Sequence, residues 1–317
     1  MIPSAFRSFR RSLVPVSLVL GIAALGMVPL SIPAARAQTA PSGTDIMSRM
    51  NQAFYYPGNS FRTSVKMELG GPGTPGRERI MSLLRLNTGG KGEQRYLLYF
   101  HKPGDVRRMS CMVWKHVDLP DERWMFVPIT GQVVKVLAPE RSSFIGSDFM
   151  REDLSGRDVD ADRHTLVREE KQDGRDCYVV ESLPRKPVDF SKYVTWVDRE
   201  TSLPLRQEYY DNRGKLGRVF TGTQIERVAS AKNPSVSYPT IMDRTMKSMS
   251  SGRWTRVIFS EAVYDPPLQP GDFSADRMRT PIGDWLPAQG KAVSSARTGS
   301  AGAPEVAERR TPRANPP

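Results

Sequence analysis

The chain has 317 residues, enough for one large domain or two modest ones, and its 46 Lys and Arg against 34 Asp and Glu give a net charge of +12. The ends hold much of this charge, because residues 1–37 contribute +4 and residues 288–317 contribute +3. The middle, 38–287, carries only the remaining +5 with the signs well mixed, so it has no basic block to follow a phosphate backbone. Nucleic acid is therefore excluded as the expected partner.

Residues 1–37 have the pattern of an export signal. Three arginines precede a mostly apolar run over 13–30, and Ala35-Arg36-Ala37 has the A-x-A form of a cleavage site. An uncleaved membrane anchor is the alternative, but prolines interrupt the run and a spanning helix needs about 20 unbroken residues. We therefore expect a cleaved signal peptide over 1–37 and a mature protein in the periplasm.

The next segment, 44–54, predicts one short helix. Thr44 or Asp45 is the expected N-cap, and the apolar residues of the segment share one helical face. These residues are Ile46, Met47, Met50 and Phe54.

After residue 60 the apolar period changes from that of a helix to two, the period of a half-buried antiparallel strand. Short turns such as Asp173-Gly174 separate many of the runs, which favours a meander over alternating β-α units. The predicted fold is therefore mainly β, a long antiparallel meander that forms an incomplete, half-open barrel. The predicted strands are 61–69, 79–86, 94–100, 108–114, 122–127, 132–137, 163–170, 176–182, 191–198, 204–210, 216–227, 239–249 and 253–264.

The inner, concave face of such a sheet must be filled either by its own side chains or by something apolar from outside. One helix supplies little to fill it, and twelve Met residues beyond the signal suit a surface that repacks around apolar ligands, although ordinary core filling explains each of them equally well. Side chains alternate between the two faces of a strand, and this alternation predicts ten residues that point into the cavity. They are Phe61, Val65, Met67, Leu84, Tyr96, Leu98, Phe100, Met112, Trp114 and Tyr178.

Residues 138–157 interrupt the strands, and we call them the lid loop. The segment is too long and too rich in Gly, Ser and Asp for a hairpin turn, yet it contains large apolar residues of the kind that are usually buried. It is expected to cover the concave face as a lid or plug, or to pack one end of the barrel as a structural crossover. Its candidate functional residues are Phe144, Gly146, Ser147, Asp148, Phe149, Glu152 and Asp153.

Two cysteines, Cys111 and Cys177, lie in strand-like runs. The sequence leaves open whether they form a disulfide or remain two thiols buried in separate strands. The last segment, 288–317, has no aromatic residue and almost no large aliphatic one, which predicts a disordered tail after a folded domain over 38–287.

The sequence contains few motifs that are typical of catalysis, metal binding or cofactor binding. The three histidines are not spaced in the sequence as metal ligands are. The sequence also has no G-x-S-x-G motif, no P-loop and no dinucleotide-binding fingerprint. The carboxylates Asp148, Glu152 and Asp153 could serve acid–base chemistry or local capping. An EF-hand-like spacing starts at Asp158, but its sixth position is Arg163 where the turn needs glycine. We therefore expect no enzyme activity, no metal and no cofactor.

Several stretches resemble the LolA/LolB-like superfamily, in its outer-membrane lipoprotein-sorting-like branch, and the resemblance spans about 45–285. The most specific stretch is F-x-G-S-D-F-x-x-E-D-L in the lid loop, and the others lie in the predicted strands and turns. They are Trp124-Met125-Phe126-Val127-Pro128, Ser143 to Phe149 with Glu152-Asp153-Leu154, Trp196 to Thr201 with Leu203-Pro204-Leu205, and Tyr209-Tyr210-Asp211.

The resemblance implies a carrier whose concave face binds acyl chains beneath helices or a loop. In lipoprotein carriers the cargo is an acylated protein, whereas the branch found with RND-type inner-membrane exporters implies a free lipid or another hydrophobic solute. The expected protein is a monomeric periplasmic carrier of a lipid or lipoprotein. Two alternatives are a lipid-sensing regulator that binds a membrane signalling protein and a hydrolase with an unrecognised site.

Overall fold

The computed structural model describes residues 40–89, 92–117, 119–137 and 142–285. The signal peptide predicted over 1–37 and the tail predicted over 288–317 lie outside the described residues. Within the described ranges, no helix combines the length and the apolar character that crossing a membrane requires.

In the part of the chain that the structure describes, thirteen strands form one antiparallel sheet, and each of the thirteen runs predicted from the sequence overlaps one of them. The strands are β1 (Ser60–Gly71), β2 (Thr74–Asn87), β3 (Gln94–Lys102), β4 (Ser110–Lys115), β5 (Glu122–Val127), β6 (Gln132–Lys135), β7 (Asp162–Gln172), β8 (Arg175–Pro184), β9 (Lys192–Asp198), β10 (Pro204–Tyr210), β11 (Leu216–Ala229), β12 (Ser237–Ser248) and β13 (Trp254–Tyr264).

The sheet is open. Its order is β6-β5-β4-β3-β2-β1-β13-β12-β11-β10-β9-β8-β7, so the first and last strands of the meander pair in the middle. The edge strands β6 and β7 do not pair with each other in the described part of the chain. The predicted fold class, a mainly β meander forming an incomplete barrel with a short N-terminal helix, is confirmed.

The N-terminal helix α1 runs over Gly43–Tyr55. Its N-cap is Ser42, where the sequence predicted Thr44 or Asp45. The Ser42 hydroxyl accepts a hydrogen bond from the Asp45 backbone N–H, and the Asp45 carboxylate accepts one from the Ser42 backbone N–H, a reciprocal capping box. Gly43 allows close packing on β7, because a Cβ there would lie 2.7 Å from the His164 backbone.

The register of the strands shows which residues share each of the two faces of the sheet. Directly paired residues share a face, so Leu98, Leu83 and Cys111 lie together on one face, which we call the inner face. Leu97, Leu84 and Met112 pair in the same way on the opposite, outer face. Both faces of β2 to β4 are therefore apolar.

A C-terminal segment covers the outer face of β2 to β5. After β13 the chain forms a 3-10 turn (Pro270–Asp272) and the short helices α3 (Ala275–Arg279) and α4 (Ile282–Trp285). Its apolar side chains complete a cluster with those of the strands. The buried members are Leu84, Leu86, Leu97, Tyr99, Met112, Phe126, Leu268, Phe273, Met278 and Ile282.

Helix α1 covers one part of the inner face. Its buried residues Ile46, Met47 and Met50 pack against apolar side chains of β8 and β9. The sequence predicted these three as members of one helical face, and the structure confirms it. The remaining inner face, toward β1 to β5, is covered by a different segment.

Candidate functional site

A cavity of about 190 Å³ lies on the inner face, between the sheet and the lid loop. Its polar neighbours are few: Arg123, Arg151, Ser155 and Arg244. The apolar lining residues are Val65, Met67, Met81, Leu83, Tyr96, Leu98, Cys111, Met112, Val113, Trp124, Met125, Val136, Phe144, Ile145, Leu154, Val257 and Phe259.

The cavity exists because the sheet is strongly curved. Met125 on β5 and Arg244 on β12 both border it, although these strands are six spacings apart in the sheet order. In a flat sheet that separation would be about 29 Å at the usual distance of roughly 4.8 Å between strands. The inner face is therefore concave, and its curvature brings distant strands around one space.

The lid loop packs two buried aromatic rings against the inner face. Phe144 and Phe149 belong to the apolar cluster of the inner face, together with Phe100, Phe220 and Val257. The backbone N–H of Phe144 donates to the carbonyl of Phe149 at 2.9 Å, so the two rings come from the ends of one tight turn. Phe144, unlike Phe149, also borders the cavity itself.

The turn between these rings needs its glycine. Gly146 has φ +69°, a left-handed conformation that most residues avoid. Ile145 before it has φ +47°, which is uncommon for a β-branched residue. Two arginines hold the carbonyls of this turn: Arg79 donates to Ile145 at 2.6 Å and Arg253 donates to Gly146 at 3.0 Å.

The lid loop is also attached to β13 through Asp148. Its backbone N–H donates to the hydroxyl of Thr255, and that hydroxyl donates to the Asp148 carboxylate, at 2.9 and 2.8 Å. Within the turn, the Ser147 hydroxyl donates to the carbonyl of Phe149 at 3.2 Å. Asp148 therefore holds the loop against β13, and Ser147 stabilises the turn itself.

The second half of the lid loop forms the short helix α2 (Arg151–Ser155). The carboxylate of Asp153 accepts a hydrogen bond from the Met150 N–H at 2.7 Å, which caps this helix, and another from Arg218 at 2.6 Å. Glu152 pairs with Arg157 at 2.7 Å. Each acidic residue that the sequence offered for acid–base chemistry thus has a structural partner.

The structure brings only some of the predicted cavity residues together. Val65, Met67, Tyr96 and Leu98 border the cavity from the inner face, and Phe100 packs fully buried in the same cluster. Phe61 lies beside a smaller neighbouring pocket.

The other predicted cavity residues lie elsewhere. Leu84, Met112 and Trp114 belong to the outer-face cluster beneath the C-terminal segment, although Met112 also touches the cavity wall. Tyr178 packs with the α1 cluster and lies under the guanidinium of Arg199. Alternation placed Leu84, Met112 and Trp114 on the inner face because the outer face of these strands is equally apolar, whereas Tyr178 does lie on the inner face but under helix α1.

Both cysteines are free thiols. Cys111 on β4 borders the cavity, and Cys177 on β8 belongs to a separate buried cluster with Val179 and Trp196. The structure therefore has the second of the two arrangements that the sequence left open. Burial raises the pKa of the Cys111 thiol to about 12 and of the Cys177 thiol to about 11.

The described residues contain no group of three or more His, Cys, Asp or Glu side chains that could hold a metal ion. The acidic residues with EF-hand-like spacing serve local contacts. Asp158 caps a 3-10 turn (Val159–Ala161), Asp162 pairs with Arg157, and Glu169 pairs with Arg199.

The chain thus folds as an open antiparallel sheet that curves around an apolar cavity beneath a loop and one helix. A protein-family model described as "-like: Uncharacterized protein" matches residues 92–280, more than half of the chain, and the chain belongs to that family. No curated protein matches the chain.

Several solved structures share the fold. A DUF1329 family protein from Desulfovibrio piger is 26% identical with a TM-score of 0.67, and the match covers 76% of this chain and 100% of that one. A putative outer membrane lipoprotein-sorting protein domain from Vibrio parahaemolyticus is 23% identical with a TM-score of 0.66, covering 75% and 98%. A LolA superfamily protein from Nitrosomonas europaea is 17% identical with a TM-score of 0.57, covering 75% and 100%.

Proposed function

We propose that this protein is a periplasmic carrier that binds an acyl chain of a lipid or lipoprotein in the cavity beneath the lid loop and passes it between membrane partners. The observation that carries the proposal is the apolar cavity on the concave face, closed by Phe144 and bordered by seven neighbouring strands. Burying an acyl chain releases about 0.8 kcal/mol per CH₂, so an apolar space shielded from water binds such chains well.

The size of the cavity fits a closed state of such a carrier. Its volume of about 190 Å³ exceeds the roughly 150 Å³ cavity that takes up benzene. It is smaller than the roughly 300–1,000 Å³ pockets that hold drug-sized ligands. Part of an acyl chain fits as the cavity stands, and a longer chain requires the lid loop to move outward.

The attachment of the lid loop is suited to such movement. Its turn accepts hydrogen bonds from Arg79, Arg253 and the Thr255 hydroxyl, and these bonds can break and re-form without unfolding the sheet. Only a few apolar side chains of the loop enter the inner cluster. Lid opening of this kind lets a carrier release a cargo that it binds by burial.

Export by the segment 1–37 would deliver the carrier to the periplasm, where it could exchange cargo with an RND-type inner-membrane exporter. The lipoprotein-sorting fold of the relatives supports a carrier role.

A transfer assay between vesicles tests the proposal. Donor vesicles contain a pyrene-labelled fatty acid, acceptor vesicles do not, and transfer appears as a rise in pyrene monomer fluorescence. Leu98→Trp places an indole in the cavity and should abolish protein-dependent transfer. Val167→Trp is the matched control, since Val167 lies 48% exposed on β7 and does not border the cavity.

The proposal predicts transfer by the unmodified protein and by Val167→Trp, and none by Leu98→Trp. Circular dichroism and thermal unfolding establish that both variants are folded. If the unmodified protein does not accelerate transfer, or if a folded Leu98→Trp variant transfers lipid as well as Val167→Trp does, the cavity is not the carrier site.

A further inference from the structure

A second, smaller pocket of about 60 Å³ adjoins the cavity on the inner face. The two spaces share a wall made by Leu83, Tyr96, Leu154, Arg244 and Phe259. The smaller pocket is lined by both Arg85 and Arg244, and we call it the arginine pocket.

Arg244 on β12 has almost no polar partner. One of its terminal nitrogens donates to the carbonyl of Ile241 at 2.9 Å, while its buried Nε has no hydrogen-bond partner among the described residues. The rings of Phe54 and Phe259 lie 5.0 and 4.2 Å from the guanidinium. Burial lowers the pKa of Arg244 to about 10, so it still carries its charge at neutral pH.

Arg85 on β2 is the second cation, and only 5% of its surface is exposed. Its terminal nitrogens donate to the carbonyls of Tyr55, at 2.6 Å, and of Pro57, just after helix α1. Its Nε is also buried and finds no hydrogen-bond acceptor in the described ranges. Burial lowers the pKa of Arg85 as well.

No acidic side chain lies in the pocket beside these two charges. The described residues that line it include neither Asp nor Glu, and the other polar groups are hydroxyls such as those of Tyr55, Thr240 and Tyr264. Asp265 interacts electrostatically with Arg85 from outside the pocket, whereas Arg244 has no such acidic partner among the described residues. A buried charge without a counter-ion is costly, and an unsatisfied N–H adds to that cost. Arg244, with Arg85 beside it, therefore indicates a site prepared for an anion.

We infer that the arginine pocket binds the carboxylate of a single-chain amphiphile whose acyl chain occupies the adjoining cavity, an inference that rests on the proposed carrier function. The shared wall places Arg244 where the head group and the chain of such a molecule would meet. Arg85 contributes the second positive charge.

The small size of the pocket favours a small head group. Its volume of about 60 Å³ is about a third of the 190 Å³ of the adjoining cavity. A carboxylate is the smallest anionic head group that an acyl chain commonly carries. The preferred ligand is therefore a fatty acid type of molecule.

Two ligands of equal chain length test the inference. Decanoate and decan-1-ol are titrated calorimetrically at neutral pH into the purified protein after a hydrophobic resin has removed bound lipid. Decanoate is ionised there, because a carboxyl group has a pKa of about 4 to 5. Charge-assisted hydrogen bonds to Arg244 should make decanoate bind about tenfold more tightly than decan-1-ol.

Two variants separate the arginine pocket from the cavity. Arg244→Met removes the charge but keeps an apolar side chain, so it should lose the preference for decanoate and keep the affinity for decan-1-ol. Replacing an uncompensated buried charge by an apolar group is often neutral or stabilising, so this variant should fold. Arg206→Met on β10 is the matched control, since Arg206 pairs with Glu208 and does not line the pocket.

The outcomes distinguish the carboxylate site in the arginine pocket from the carrier function of the cavity. Equal binding of both ligands to the unmodified protein would mean that the pocket holds water only, and this overturns the inference while leaving the carrier. A preference for decanoate that persists in Arg244→Met also overturns it. Failure of both ligands to bind would contradict the carrier and the arginine pocket together.

Discussion

Asp148 and Thr255 exchange two hydrogen bonds across the boundary between the lid loop and the sheet. The Asp148 N–H donates to the Thr255 hydroxyl, which donates in turn to the Asp148 carboxylate. Thr255 is fully buried on β13, so this one hydroxyl satisfies two groups of the loop away from bulk water. The pair fixes the turn that carries Phe144 and Phe149 over the cavity.

Replacing Thr255 by valine should loosen the lid loop without changing the sheet. Val keeps the shape of Thr but leaves the Asp148 N–H and carboxylate without this partner, at a cost of about 1–3 kcal/mol. Amide hydrogen exchange should become faster over 143–150 and stay unchanged in β1 and β13. Thr255→Ser, which keeps the hydroxyl, should restore the slow exchange. Equal exchange in Thr255→Val and the unmodified protein would show that the hydroxyl does not hold the loop.

Cys111 provides a native reporter of the cavity. Its thiol borders the cavity, whereas the Cys177 thiol lies in another cluster, and the raised pKa of each thiol makes both react slowly with maleimides. A bound acyl chain should slow the labelling of Cys111 by N-ethylmaleimide and leave Cys177 unaffected. Mass spectrometry of the two labelled peptides measures the ratio. Protection of both cysteines, or of neither, would contradict occupancy of this cavity.

Asp198 should make the stability of the fold depend on pH. It accepts hydrogen bonds from Arg175 at 3.0 and 2.8 Å and from the Thr201 N–H at 2.9 Å. Burial acts to raise the pKa of Asp198, but the hydrogen bonds from Arg175 and Thr201 outweigh it and the pKa is lowered. A lowered folded pKa stabilises the protein above the unfolded pKa of about 3.9, and this contribution is lost as the pH falls through the folded pKa.

Asp198→Asn should therefore lower the free energy of unfolding at neutral pH by about 1–3 kcal/mol. The difference from the unmodified protein should begin to shrink as the pH falls below about 4, where the unfolded chain takes up a proton at Asp198, and should vanish only below the lowered pKa of the native carboxylate. Urea unfolding at a series of pH values measures it. Asp176→Asn is the control, because Asp176 is 64% exposed and exposed pairs contribute little. A difference that stays constant from neutral to acid pH would refute the role of the Asp198 charge.

The strands were predictable because the period of two persists along the chain and short turns interrupt it. The faces of β2 to β4 were harder to assign. The alternation predicted that Leu84 faces inward, but the structure places Leu84 in the outer cluster and its neighbour Arg85 in the arginine pocket on the inner face. Alternation identifies two faces but not which of them is inner, and here the C-terminal segment buries the outer face as well.

The arginines of the site carried no sequence signal. Arg79, Arg85 and Arg244 each look like solvent-facing residues of half-buried strands, and only the curvature of the sheet brings Arg85 and Arg244 to one pocket. The N-cap was missed for a simpler reason: Ser42 precedes a glycine, and the periodic apolar pattern of α1 begins only at Ile46, four residues after Ser42. The motif of the lid loop, in contrast, was evident because its glycine, acidic and aromatic residues are close in sequence.

The central claim is that the cavity beneath the lid loop holds an acyl chain. Native mass spectrometry of the protein purified without detergent from the cells that produce it, followed by organic extraction, tests this claim most directly. The account predicts one bound lipid or acylated peptide per protein, lost in the Leu98→Trp variant. A protein that is reproducibly empty and takes up no lipid from vesicles would contradict it.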